Sequence, residues 1–204
     1  MVGNAVPAAN CGYSPVIEGE KVRNVNLPSG LLDSARYLPS PNKDERPPGA
    51  TIDTLVIHSI SLPPGEFGSP DVEFFFCNGL SQHGHPFYES ICQLTVSAHL
   101  LIRRDGSVIQ LVPFGERAWH AGVSEFDGRT RVNDFSIGIE LEGSDFVPYE
   151  ERQYQELISV TQALRVAYPG ITRERIVGHH QIAPQRKTDP GPYFNWTRYR
   201  QALA

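Results

Sequence analysis

The sequence has few cysteines and no long hydrophobic run. Its 204 residues include only Cys11, Cys77 and Cys92. An odd number of cysteines without a CxxC pair argues against a disulfide framework and against a thiolate zinc site. The first thirty residues contain no apolar stretch of the kind that a signal peptide or a membrane anchor needs. These absences favour a reducing compartment, and we expect a cytoplasmic location.

An excess of positive charge is also absent. The chain carries 18 Lys and Arg against 23 Asp and Glu, which gives a formal net charge of -5. Proteins bind a phosphate backbone or an anionic lipid surface through clustered basic residues, whereas the basic residues of this chain are spread along it. We therefore expect neither nucleic acid nor membrane as a partner, and the sequence implies no obligate protein partner.

The length and the hydrophobic content fit one domain with one core. Hydrophobic residues make up 40% of the 204-residue chain, which is within the range of a single globular domain. Residues 1–30 are rich in Gly, Pro, Asn and Val without a clear period, a composition typical of a flexible extension. The sequence thus predicts an N-terminal extension over residues 1–30 and one domain over residues 31–204.

Hydrophobic patterns predict an α/β fold of the α+β type, with a central mixed β-sheet flanked by helices. A continuous apolar run at 55–57 is typical of a buried strand, and residues 135–141 alternate as a strand does. The Asp105-Gly106 pair between two apolar runs predicts a hairpin. Apolar residues at helical spacing predict a helix over 150–168, and a last strand is expected at 176–177.

Two histidines and one aspartate are candidate metal ligands. His58 and His179 each follow a short apolar run, so we expect both side chains at strand ends on one rim of the sheet. Asp189 precedes a proline, which favours an extended backbone and lets the carboxylate supply a third ligand. Zinc with three N or O protein ligands keeps a fourth position for water. One catalytic zinc ion per chain is predicted; the alternative for any single histidine is a packed or surface side chain.

Two charged residues are candidates for catalysis. Glu140 lies in a strand in the middle of the predicted sheet, where a carboxylate needs a reason to be; the alternative is a rim carboxylate paired to arginine. Lys187 stands two residues before Asp189, and residues i and i+2 of an extended chain face the same side. Its ammonium could therefore reach a metal-bound substrate, whereas the alternative is an ordinary exposed lysine.

Five segments of the sequence resemble the AmpD-type N-acetyl-anhydromuramyl-L-alanine amidases. The resemblance is collinear and covers about residues 31–202. It implies that His58, His179 and Asp189 are the zinc ligands, that Glu140 is the catalytic acid/base and that Lys187 stabilises the transition state. The matching segments are VIHSISLPPGEFG (56–68), SAHLLIRRDG (97–106), RAWHAGVS (117–124), NDFSIGIELEG (133–143) and GHHQIAPQRKTDPGP (178–192).

The resemblance also implies a set of substrate contacts. Trp119 and Arg131 match residues placed around the anhydromuramyl sugar, although core packing is the alternative for Trp119. Ala183 and Arg186 lie in the segment that lines the cleft for the sugar and the peptide. Ser59 stands where the family usually has asparagine, directly after the first zinc histidine, and it is carried over as a candidate sugar contact.

Three further histidines lie in the matching segments. His99, His120 and His180 are not metal ligands in the family. The resemblance therefore implies that these side chains pack within the structure or support the ligands from behind.

The implied activity is zinc-dependent hydrolysis of the amide bond between the lactyl group of (1,6-anhydro-)N-acetylmuramic acid and L-alanine in muropeptides, during cytoplasmic peptidoglycan recycling. Two alternatives stay open. A non-catalytic peptidoglycan-binding module on the same fold usually lacks a zinc ligand. A secreted cell-wall amidase acting on the intact polymer would need an export signal.

Overall fold

The computed structural model describes residues 23–204, which fold around a six-stranded β-sheet. Among these residues the strands are β1 (Val25–Asn26), β2 (Leu31–Leu32), β3 (Arg36–Tyr37), β4 (Lys43–Glu45), β5 (Thr54–Ile60), β6 (Leu100–Ile102), β7 (Val108–Gln110), β8 (Glu116–Ala118), β9 (Glu125–Phe126), β10 (Arg129–Thr130), β11 (Ser136–Glu142) and β12 (Ile176–Gly178). The α-helices are α1 (Asp71–Phe76), α2 (Glu151–Ala167), α3 (His179–Ile182) and α4 (Trp196–Ala202). Short 3-10 helices span Pro86–Ser90, Val132–Asp134 and Arg173–Arg175.

The main sheet is mixed, with the strand order β12-β5-β11-β6-β7-β3. Strands β12, β5, β11 and β6 run parallel to their neighbours, whereas β6 and β7 form the antiparallel hairpin predicted at Asp105-Gly106. Strand β3 adds in parallel at the far edge. Three two-stranded pairs, β1-β2, β4-β8 and β9-β10, lie outside this sheet. The predicted α+β fold with a central mixed sheet is confirmed.

The two longest strands, β5 and β11, form the middle of the sheet and have seven residues each. Successive side chains of a strand point to opposite faces. One face packs against α2 and is aliphatic, with the members Leu55, Ile57, Ile137, Ile139 and Leu141. The other face carries the buried polar residues His58, Glu140 and Glu142. The alternation predicted for residues 135–141 therefore places aliphatic side chains on one face of the sheet and buried polar side chains on the other.

Helix α2 covers the aliphatic face, as its helical pattern predicts. Its first turn is capped by Gln153, whose Oε1 accepts a hydrogen bond of 3.0 Å from the Glu150 backbone N–H. The same side chain is fully buried and donates through Nε2 to the carbonyls of Ile102 and Glu142. The helix ends at Ala167, just before Pro169 and Gly170. A single glutamine thus both starts the helix and ties it to two strands.

Two residues of the predicted N-terminal extension contact the domain. Arg23 is buried and donates through Nε to Glu156 on α2 at 2.8 Å. Gly30 has a φ of +67° and its carbonyl accepts hydrogen bonds from Gln110 Nε2 and Phe114 N. Within the predicted N-terminal extension, Arg23 and Gly30 are thus buried and bonded to the domain, whereas most residues between them are exposed; the boundary at residue 30 stays a prediction. Residues 1–22 lie outside the described part.

The structure describes two features that the sequence analysis considered, the cysteines and the length of apolar helices. Cys77 and Cys92 are free thiols, while Cys11 lies outside the described residues. Within residues 23–204, the helices are all too short or too polar to pass through a lipid bilayer.

Candidate metal centre and active site

Three side-chain atoms from three separate parts of the chain converge on one point. His58 Nδ1 lies 2.9 Å from His179 Nδ1, and each of these nitrogens lies 3.1 Å from Asp189 Oδ2. Both histidines are buried, and Asp189 is partly buried. Two imidazole nitrogens and one carboxylate oxygen form the kind of donor set that holds a catalytic zinc ion. The residues therefore fit a zinc ion, and together they are a candidate metal-binding group.

The ligands are positioned differently from the prediction of two strand ends. His58 lies inside β5, followed by Ser59 and Ile60, and not at its end. His179 follows β12 directly but is the first residue of α3. The prediction failed because a run of three apolar residues marks the buried part of a strand and not its full hydrogen-bonded length. The parallel pairing of β12 with β5 still brings both histidines to the same end of the sheet.

Asp189 reaches this point because its segment packs closely on Gly178. A Cβ atom at Gly178 would lie 2.6 Å from the His180 ring and 2.8 Å from Pro190 Cδ, so this approach requires glycine. The Asp189 carbonyl accepts a hydrogen bond of 3.0 Å from the His180 backbone N–H. Tyr149, which the sequence analysis did not single out, donates its hydroxyl proton to the Pro190 carbonyl at 2.7 Å.

The electrostatic environment favours the protonation states that bind metal. Burial lowers the pKa of His58 to about 4, although its hydrogen bond to Asp189 acts in the opposite direction. Burial alone would raise the pKa of Asp189, but hydrogen bonds to His179 and His58 outweigh burial and hold this pKa below its ordinary value. Near pH 7 His58 is neutral and Asp189 is ionised, and a metal ion requires these forms of its ligands.

Glu140 lies beside the metal-ligating group, opposite His58 in the parallel register of β11 and β5. The side chain is buried, and its Oε2 has no hydrogen-bond partner among residues 23–204. Burial raises the pKa of Glu140 well above its ordinary value, the Asp189 charge adds to this effect, and Lys187 opposes it. By contrast, both carboxylate oxygens of Glu142 accept backbone N–H groups. Glu140 alone of the two is left free for chemistry.

Lys187 precedes Asp189 in the loop that follows α3. Its backbone N–H donates to the Ala183 carbonyl at 3.0 Å, and its side chain is half-buried. Burial raises the pKa of Glu140 and lowers that of His58, and the Lys187 charge opposes the first shift and adds to the second. The structure brings the three predicted ligands together with Glu140 beside them, and a catalytic role for Lys187 stays a prediction.

Trp119 and Arg131, the predicted sugar contacts, directly follow β8 and β10, respectively. Trp119 is half-buried, directly precedes His120, and donates through Nε1 to Asp44 at 3.1 Å. The Arg131 side chain is 68% exposed and pairs with Asp134 through Nε at 3.1 Å. Both side chains are anchored by a carboxylate but keep accessible surface, which a substrate contact requires.

The remaining predicted substrate contacts differ in how exposed their side chains are and in the hydrogen bonds that they already make. Ala183 is buried and bonds through its N–H to the His179 carbonyl. Ser59 is half-buried and follows His58 directly in β5. Arg186 is exposed, but its Nη2 already donates to the Ala121 carbonyl at 2.7 Å. A contact between Arg186 and a substrate stays a prediction.

Comparison with known proteins agrees with this arrangement. Residues 48–192 match the family described as N-acetylmuramoyl-L-alanine amidase. The chain is 55% identical over 174 residues to the 1,6-anhydro-N-acetylmuramyl-L-alanine amidase AmpD of Escherichia coli (strain K12), which covers 85% of this chain and 94% of that protein.

Solved structures give the same result. A crystal structure of a selenomethionine AmpD derivative is similar with a TM-score of 0.84 and 53% identity, over 86% of this chain and 98% of that chain. The amidase AmiD from E. coli, solved with the substrate anhydro-N-acetylmuramic acid-L-Ala-D-gamma-Glu-L-Lys, has a TM-score of 0.57 and 34% identity, over 78% of this chain and 60% of that chain. With most of its length matched, the chain belongs to the N-acetylmuramoyl-L-alanine amidase family of amide hydrolases.

Proposed function

We propose that the protein hydrolyses the amide bond between the lactyl group of 1,6-anhydro-N-acetylmuramic acid and L-alanine in small muropeptides, as a zinc enzyme of cytoplasmic peptidoglycan recycling. The observation that carries the proposal is the convergence of His58, His179 and Asp189 within 3.1 Å, beside a buried Glu140 with an unpaired oxygen. The names of the E. coli relative and of the AmiD complex support an anhydromuramyl peptide as substrate.

His58, His179 and Asp189 would hold the zinc ion, one per chain. A bound zinc ion would supply Lewis-acid chemistry that makes a water molecule nucleophilic near neutral pH. The protein contributes the geometry, because both histidines are buried and their Nδ1 atoms face each other and Asp189.

Glu140 would act as the acid/base. Its unpaired Oε2 can accept the proton of the attacking water and then deliver that proton to the amine of the departing alanine. Burial raises its pKa, which brings proton affinity closer to working pH and suits a group that must both take and give a proton. When the water adds to the amide carbon, the carbonyl oxygen becomes an oxyanion.

Lys187 would stabilise that oxyanion. Its ammonium acts on the region of His58 and Glu140, and a single preorganised donor to a developing oxyanion contributes about 3 to 4 kcal/mol. The reaction needs no covalent enzyme intermediate, since water is the nucleophile. Trp119 and Arg131 would contact the sugar.

The two alternatives differ from this proposal in what they require. A peptidoglycan-binding module needs neither a buried carboxylate with a free oxygen nor an ammonium beside it, and this chain keeps both together with all three ligands. A secreted cell-wall amidase would share the site but act on the intact polymer. Substrate size therefore separates the second alternative from recycling.

The test is a cleavage assay with products identified by mass. Anhydromuramyl-tripeptide and intact sacculi are incubated separately with the purified protein, each with and without a chelator. We expect release of tripeptide from the small substrate, no release from sacculi, and loss of activity with chelator that added zinc restores. Cleavage of sacculi at an equal rate would favour the cell-wall amidase, and binding without cleavage would favour the recognition module. Cell fractionation tests the location.

A further inference from the structure

His120 lies behind His58, on the side opposite the metal-facing nitrogen. His58 Nε2 is 2.9 Å from His120 Nδ1, and His120 Nε2 is 3.1 Å from Ser136 Oγ. All three side chains are buried. The second nitrogen of a metal-ligating histidine therefore enters a chain of hydrogen bonds that ends on β11.

Strand β11 makes room for this imidazole. A Cβ atom at Gly138 would lie 2.4 Å from His120 Cγ and 2.6 Å from its Nδ1, so that no other residue fits without displacing the ring. Gly138 lies in the interior of a buried strand, where glycine weakens the strand. The space that it leaves accounts for this glycine, because the His120 ring occupies the position of the missing side chain.

The next residue contacts the other histidine ligand. The Ala121 carbonyl accepts a hydrogen bond from His179 Nε2 at 3.2 Å. A carbonyl oxygen can only accept, so His179 carries its proton on Nε2, and in the neutral ring the Nδ1 lone pair is free for a metal. Asn133 Oδ1 accepts the backbone N–H groups of His120 at 3.1 Å and of Ala121 at 2.8 Å.

We propose that the dipeptide His120-Ala121 positions both imidazole ligands, with His120 as the positioning residue for His58; the identity of the metal rests on the proposed function. A His58 ring that binds metal through Nδ1 must carry its proton on Nε2, which it donates to His120 Nδ1. His120 then holds its own proton on Nε2 and donates it to Ser136 Oγ. Such outer contacts fix the tautomer and the angle of a metal-ligating ring.

Two variants of His120 separate the hydrogen bond from packing. His120→Phe keeps a ring in the space above Gly138 but removes the acceptor for His58. His120→Asn is smaller, but its amide oxygen can take the position of Nδ1 and accept the same proton. Zinc affinity is measured without substrate, by competition with a chromophoric chelator at constant pH. We expect zinc affinity to fall by about 10- to 100-fold in His120→Phe and to be largely restored in His120→Asn.

His99→Phe is the matched control. His99 is also fully buried, and its ring lies 5.7 Å from that of His120. Its ring nitrogens contact Gly138 N, the Glu116 carbonyl and Arg46 Nη2, and neither contacts a candidate ligand. The same substitution there should lower the thermal midpoint of unfolding while zinc affinity stays near that of the wild type. Equal losses of zinc affinity in His99→Phe and His120→Phe would overturn the proposal, because a general packing effect would then explain both.

A measurement on the unchanged protein covers the case in which His120→Phe does not fold. Nitrogen-15 NMR of the zinc-loaded wild type reports which ring nitrogens carry protons. We expect protons on Nε2 of His58, His120 and His179. A proton on Nδ1 of His120 would overturn the proposal, since that nitrogen could then not accept from His58. If the wild type binds no zinc, the proposed function fails; if it binds zinc and His120→Phe binds it equally well, only this inference fails.

Discussion

The two faces of the β5-β11 pair are equally buried and chemically opposite. The aliphatic face (Leu55, Ile57, Ile137, Ile139 and Leu141) is at most 1% exposed and packs under α2. The polar face (His58, Ser136, Gly138, Glu140 and Glu142) lies on the same two strands, one residue out of phase. Burial of aliphatic surface stabilises the fold by roughly 25 cal/mol per Å². Burial of polar groups costs free energy unless they are hydrogen-bonded.

The polar face shows where this cost is left uncompensated. Glu142 has both oxygens bound by backbone N–H groups, and Ser136 meets His120, but Glu140 keeps a buried oxygen without a partner in residues 23–204. An unsatisfied buried group of this kind is the exception in folded proteins. Both faces are buried, but only the polar face contains a buried carboxylate oxygen without a hydrogen-bond partner among residues 23–204. Substitutions on each face test this difference.

Removal of a ligand should have the largest effect. In His179→Ala the donor set loses one of its three members, so we expect substoichiometric zinc by metal analysis and amidase activity at background. His83→Ala, the same substitution at an exposed histidine, should keep full zinc and full turnover. One equivalent of zinc together with normal turnover in His179→Ala would show that the metal binds elsewhere.

Glu140→Gln should lower kcat by about 10²- to 10⁴-fold, because the amide keeps the shape of the side chain but cannot exchange the proton. Zinc should stay bound, since Glu140 is outside the donor set. Glu142→Gln is the control on the same face: it should keep kcat and lose stability, because its oxygens hold the backbone N–H groups of Gly68 and Arg104. Steady-state kinetics and metal analysis of both variants decide; a normal kcat in Glu140→Gln would remove its catalytic role.

Lys187→Ala should lower kcat by about 10²- to 10³-fold, the loss expected for one preorganised oxyanion donor. Lys187→Arg should restore only part of this loss, because guanidinium keeps the charge but changes its reach and geometry. The plateau of the pH-rate profile is the measurement, since the lysine stabilises charge and does not transfer the proton. A plateau unchanged in Lys187→Ala would return this residue to the role of a surface lysine.

Ile139→Val tests the aliphatic face one residue from Glu140. Removal of one buried methylene should lower the free energy of unfolding by about 0.5 to 1.5 kcal/mol. Zinc affinity and kcat should stay at wild-type values, because this side chain points to α2 and away from the site. Denaturant unfolding and kinetics together check it; a fall in kcat larger than that of Glu140→Gln would break the division between the faces.

The smallest expected effect is a change in how the free energy of unfolding depends on pH when Glu140 is replaced. The folded-state pKa of Glu140 is raised, by burial first and by Asp189 second, so the folded protein holds this proton more tightly than the unfolded chain. Its stabilising contribution is therefore complete below the unfolded pKa of about 4.3 and is lost as pH rises through the folded pKa. In metal-free protein with chelator, Glu140→Gln should gain stability relative to wild type between pH 4 and pH 8. A constant difference in unfolding free energy would contradict the raised pKa.

Local patterns in the sequence predict the main helices and strands and the candidate reacting groups. The helix over 150–168, the hairpin at Asp105-Gly106 and the strand at 135–141 all follow from local patterns, and each is present. The candidate ligands were predicted from their placement beside apolar runs and before a proline, and from the resemblance of five collinear segments, and their side chains do converge. The contact of Arg23 with Glu156, 133 positions away, could not be predicted from a local pattern.

The contacts that hold the site in place are visible only in the folded chain. Nothing in the spacing of His120 predicts that its Nδ1 meets His58, or that Gly138 on a distant strand leaves the space for its ring. The same is true of Asn133, which fixes two successive backbone N–H groups. These contacts join residues 12 to 62 positions apart through single hydrogen bonds and steric fit, which leave no periodic pattern in the sequence. Local sequence encodes which groups are present, while the contacts of the two imidazoles with His120 and Ala121 depend on how the folded chain packs.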